Sequence, residues 1–163
     1  MATQTYSNRH KETLDEYPSA LFTGGGFRCM FDVHTAVVAG GSTNGAYYID
    51  FPSLLPGKVI VFPQLCHIAS DDMEAGADLH IGHRAYVNSN RNTIAEDDDE
   101  WAADVDSGGG ALNGFWADLT GATLTVPQVY DAQDGLKVFV TIDTGDISIG
   151  DTVTLVVVYA HVQ

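Results

Sequence analysis

The chain has 163 residues, of which 45% are hydrophobic, so it can bury one core without staples, and intrinsic disorder is excluded. Its 22 acids against 7 bases give a net charge of -15. That balance excludes nucleic acid as a direct ligand, because phosphate binding needs clustered lysine and arginine.

Residues 1–20 read as a polar arm ending at Tyr17-Pro18, with Arg9, His10 and Lys11 among few apolar side chains. The arm holds the best short helical stretch, "SNRHKETLDEY", and is expected to pack on its own body or on another subunit. "MATQTYSNRH" does not have the form of a signal peptide, and no apolar stretch is long enough to span a membrane.

From residue 21 to 163 the chain reads as a single β-sandwich, with short apolar runs between Gly, Asn, Asp and Pro turns. The runs fall at 27–38, 46–51, 58–69, 77–87, 122–129, 135–143 and 152–162. In the fourth, Leu79, Ile81, His83, Ala85 and Val87 share one face. In the sixth, Leu136, Val138, Val140 and Ile142 alternate with Lys137, Phe139, Thr141 and Asp143, which predicts one buried face. The last run is apolar on both faces from Val153 to Val158 and predicts a central strand, or one covered by a partner. Pro63 and Pro127 are expected at edges or bulges, since proline cannot donate to a ladder. Seven or eight such strands fit a sandwich of jelly-roll type.

Residues 88–121 interrupt this rhythm. The stretch contains "IAEDDDEW" and is too long for a hairpin loop, without sustained periodicity. Trp101, Phe115 and Trp116 are costly to expose, so the excursion is expected to fold back with its aromatics down, on this subunit or a neighbour. The charge is lopsided as well: from Glu96 onward there are thirteen acids and one base, Lys137. Such asymmetry fits complementary surfaces on neighbouring copies, or a solvated face.

Few residues form a chemical constellation. Asp97, Asp98, Asp99 and Glu100 offer hard oxygen ligands suited to Ca²⁺, but the run lacks the spacing and central glycine of an EF-hand. In an extended segment adjacent acids point to opposite sides, so only about half of them would converge on one ion. "SDDMEAGAD" at 70–78 is a second acidic turn of the same kind. His80 and His83 face opposite ways on a strand, and His83 is expected in the core. No G-x-S-x-G elbow, C-x-x-C or P-loop occurs, and "TGGGF" at 23–27 precedes a strand where a phosphate cradle would open a helix. The expectation is a protein that is not an enzyme and has no cofactor. Cys29 and Cys66 are either bridged or free thiols in apolar surroundings.

The stretch from Phe51 to Tyr86 resembles small structural proteins of tailed bacteriophages. There a Leu-Pro-x-Gly turn leads to a strand, then an acidic turn, then a strand carrying a glycine. The matching residues are Leu55-Pro56-Gly57, Asp72 to Gly76, Leu79 and Gly82. The final strand is similar too, at Gly150, Val153, Leu155, Val157 and Tyr159. The resemblance covers roughly residues 50–160. It implies a β-sandwich of the head decoration or cement type, commonly trimeric, made in the host cytoplasm and bound to the major capsid protein on the virion. Under it, Arg9, His10, Lys11, Tyr17, Trp101, Phe115 and Trp116 become the expected partner contacts. Two other roles remain open: a head–tail connector or tail protein, and a carbohydrate-binding sandwich presenting Tyr47, Tyr48 or Trp116.

Overall fold

The computed structural model describes residues 3–6, 27–41 and 47–162. The helical stretch expected in the arm, and with it Arg9, His10, Lys11 and Tyr17, lies outside the described residues. The strands are β1 (Thr3–Tyr6), β2 (Phe27–Thr35), β3 (Gly40–Gly41), β4 (Tyr47–Asp50), β5 (Gly57–Val61), β6 (His67–Ser70), β7 (Asp78–His83) and β8 (Tyr86–Val87). They continue as β9 (Thr93–Ile94), β10 (Asp97–Asp106), β11 (Asn113–Phe115), β12 (Gln128–Ala132), β13 (Val138–Ile142), β14 (Asp146–Ile147) and β15 (Thr152–Val162). One 3-10 turn, Trp116–Asp118, follows β11.

The chain is a β-sandwich. One sheet runs β1-β4-β13-β7-β10. The other runs β11-β6-β15-β5-β12, with β2 also pairing to β15. β15 is central as expected: β2 lies along one side, while β6 and β5 share the other. Its burial alternates, with Val153, Leu155, Val157 and Tyr159 turned into the core. Pairing within the two sheets is antiparallel except at β1, which adds to β4 in parallel with Thr3 opposite Tyr47. The first residues of the expected arm are thus a strand of the body.

Two expectations about strands need correction. The run at 58–69 is two strands, because Pro63 ends β5 and the chain turns through Phe62–Cys66 before β6. β13 is buried along its whole length, including Phe139 and Thr141. The reason is Arg84, whose guanidinium lies 4.0 Å from the Phe139 ring centre and 4.9 Å from that of Tyr48. A long basic side chain covers the sheet face that alternation alone would leave open.

The largest revision concerns residues 88–121. They hold a ten-residue strand, β10, which pairs with β7 through two register shifts. At the second shift Asp104 takes a left-handed conformation, φ 49°, which aspartate tolerates better than most residues. The other side of β10 is tied to residues 121–123: Ala103 N–H donates to Gly121 O, and Thr123 N–H to Trp101 O.

β10 approaches Gly82 so closely that a methyl there would overlap the Asp97 carbonyl and the Asp98 backbone. Gly82→Ala should therefore lower unfolding free energy by about 1–3 kcal/mol in chemical denaturation. Gly114→Ala, where the nearest atom is a yielding Leu119 methyl at 3.4 Å, should change it by only about 0.5 kcal/mol.

Candidate interaction surface

Cross-strand partners share a face, so the register of the second sheet fixes what its outer side presents. One row reads Phe27, Ala160, Ile60, Val129. The next carries Cys29 and Val158, and beyond it come Phe31, Val156, His67 and Phe115. Phe62 adds its ring edge-on to Phe27 at 4.9 Å. Phe27 is 67% exposed, Val129 55% and Phe115 47%. Four strands at about 4.8 Å spacing and six residues of rise make a patch of about 400 Å² in plan. The largest apolar patch of a typical monomer is about 300–600 Å², a range this one falls in, and such a patch often has a function. No carboxylate lies in these rows; the first charged row is Lys58 beside Asp131.

The residues expected to touch a partner divide sharply. Phe115 is on this face, but Trp101 and Trp116 are both 0% exposed and offer a partner no surface. Their rings pack at 5.3 Å, and Trp101 also meets Tyr130 at 5.5 Å and His83 at 5.9 Å. They are core of the sandwich, and the aromatics-down reading holds for them and not for Phe115. His83 is buried as expected, its Nδ1 donating to the Arg84 carbonyl at 3.0 Å. The aromatic platforms proposed for a sugar are not at hand either. Tyr47 and Trp116 are buried, and the Tyr48 ring lies against Arg84 and Phe139.

The acids of "EDDDE" have separate surroundings. Glu96 accepts from Arg84 at 3.0 Å, and Glu100 from the Tyr130 hydroxyl at 2.7 Å. Asp97, Asp98 and Asp99 bring one carboxylate oxygen each to within 4.8 Å of the others, all exposed. Alternation predicted otherwise, but the irregular register of β10 turns consecutive side chains together. Asp99 N–H donates to the Asp97 carboxylate at 3.3 Å. The Asp99 carboxyl is held above its usual range by sharing a hydrogen bond with Asp97, then by burial and by that neighbour's charge. The three donors have the oxygen chemistry for a hard cation, though exposed acid clusters of this kind are common without one. His80 packs nearby, 3.3 Å from an Asp104 oxygen and 3.9 Å from Asp98.

Both cysteines are free. Cys66 is buried, and its thiol is pushed up to about 12 by that burial. Cys29 is exposed on the apolar face. A concavity of about 480 Å³ opens beside Phe115 and His67 and is walled by Asp106, Leu112, Asp118 and Leu119.

No protein-family model and no curated protein matches the sequence. A chain of the cyanophage Pam1 capsid asymmetric unit does match in structure, with a TM-score of 0.51. The chain resembles it in fold. The superposition covers 90% of this chain and 94% of that one at 14% identity, so the two are of similar length. A chain of infectious bursal disease virus, Gx strain, aligns over 84% of this chain and 41% of its own. Its TM-score of 0.25, at 9% identity, carries no weight. Among the described residues no helix is long and apolar enough to cross a membrane.

Proposed function

We propose that this protein is a non-enzymatic structural component of a virus particle, a decoration or cement protein bridging major capsid subunits, most simply as a homotrimer. The observation that carries the reading is the nearly end-to-end fold match to one chain of a cyanophage capsid asymmetric unit. That neighbour is of similar length and belongs to a capsid asymmetric unit, and this chain shares its fold.

The apolar outer face supports the same role. At about 400 Å² it supplies half of what one partner contributes to an interface of standard size. Such a face holds weakly once and firmly when several copies, or several contacts, act together, which is how cementing works. Its lack of carboxylates also matters. Two chains of charge -15 repel, and the rows through Phe27, Cys29 and Phe31 are where they can meet without bringing acids together.

Quantitative mass spectrometry of purified particles tests the assignment. Hundreds of copies per particle are expected for a capsid decoration protein. A dozen or fewer would place the chain at the neck or tail, and none would remove it from the particle.

A further inference from the structure

Between β9 and β10 the chain passes the mouth of a second concavity, of about 320 Å³. Its polar lining is His83, Tyr86, Glu96, Asp97, Glu100, Gln128 and Tyr130. The Tyr86 and Tyr130 rings stand edge-to-face against the His83 imidazole at 5.2 and 5.7 Å, making an aromatic wall. Three carboxylates line the same concavity, and among the described residues no lysine or arginine does. Arg84 reaches Glu96 from outside, but it is shared with Asp50 and leaves the pocket negative.

Burial, and after it the nearby acids, act on both phenols in the same direction. Tyr86 titrates above its usual value through burial and then through the charges of Glu100 and Asp131. Tyr130 is raised as well, by burial and then by its bond to Glu100. Negative potential, the partly exposed Tyr86 ring and the apolar side chains of Ile94, Ala95 and Val129 in one concavity suit a cation on a hydrocarbon stem. A hydrated metal ion would use the carboxylates and leave the rings and aliphatic wall without a purpose.

We infer that this pocket receives a lysine or arginine side chain from a partner protein. The inference rests on the particle role proposed above. Its link to that role is Val129, which lines the pocket and also stands in the first row of the apolar face. A partner seated on that face has the pocket within one side chain's reach.

Nuclear magnetic resonance on the purified chain at low salt tests this directly. The probes are the Nα-acetyl methylamides of lysine, arginine and norleucine, together with spermidine. The lysine and arginine derivatives should shift the amides of residues 94–100 and 128–130 saturably, and the neutral norleucine derivative should not. Glu100→Gln, which keeps an acceptor for Tyr130, should weaken the lysine derivative about tenfold with melting temperature unchanged. Asp97→Asn should weaken it too, which covers the case of a misfolded first variant.

Equal binding of the norleucine derivative, or lysine binding that ignores both substitutions, overturns the inference. Spermidine binding more tightly than the amino-acid derivatives overturns the protein side chain as the occupant. No virus particle enters this measurement, so failure here leaves the particle role standing. Absence of the chain from particles would overturn that role and leave these titrations unaffected.

Discussion

Trp101→Ala is expected to lower the unfolding free energy by about 3–5 kcal/mol, enough to leave the chain largely unfolded if it has ordinary domain stability. The indole is fully buried where β10 meets the other sheet, and its ring touches Trp116, Tyr130 and His83. Removing it opens a cavity against rings that cannot collapse into it, because Trp116 is itself held by its backbone N–H to Cys66 O at 3.0 Å. Trp101→Phe should recover part of the loss. The acids just before it should behave oppositely. Replacing Asp97, Asp98 and Asp99 together by asparagine should shift stability by about 0.5 kcal/mol or less, in the stabilising direction, as repulsion within the cluster is relieved. Urea denaturation followed by circular dichroism checks both. A triple variant as damaged as Trp101→Ala would mean that the carboxylates, and not the indole, hold this strand. A rise in melting temperature with Ca²⁺ that the triple variant loses would restore the metal reading.

The contrast explains why part of the fold could be read from the sequence and part could not. β15 was legible because eleven residues alternate or run apolar without a break, and its central place follows from that. β10 was not, although it is nearly as long. Its outward residues are acids, which strands usually lack, and Trp101-Ala102 are buried consecutively. The register shifts that put two adjacent side chains inside are the same feature that erases the period of two. They also gather Asp97, Asp98 and Asp99, which regular alternation would separate.

The candidate surface was hidden for a different reason. Phe27, Cys29 and Phe31 could be seen to share a strand face, but buried and exposed faces look alike when both are apolar. Only the register across β2, β15, β5 and β12 joins them to Ile60 and Val129. The pocket depends likewise on bringing Tyr86, Glu100 and Tyr130 together from three distant places in the chain.

Arg84 carries the other large effect, and nothing in its local sequence distinguishes it from a surface base. It leaves the end of β7 and lies over β13 and β4, with Nε donating to Asp50 at 2.6 Å and Nη1 to Glu96 at 3.0 Å. Asp50 has no exposed surface, whereas Glu96 is 40% exposed. Burial disfavours the charged guanidinium, but its bonds to Asp50 and Glu96 outweigh that and hold its pKa above the usual value. The two ion pairs should therefore differ greatly in what their loss costs. Arg84→Ala strips a buried carboxylate of its cation and uncovers the Phe139 ring, and should cost about 3–5 kcal/mol. Arg84→Lys keeps the charge but loses the planar fork that bridges two acids while stacking on a ring, so it should lie between. Glu96→Gln removes only the exposed partner and should cost about 1 kcal/mol or less. Denaturation of the three variants side by side gives the answer. If Arg84→Ala proves no worse than Glu96→Gln, the Asp50 charge is neutralised by something other than Arg84. The buried outer side of β13 would then owe little to this guanidinium.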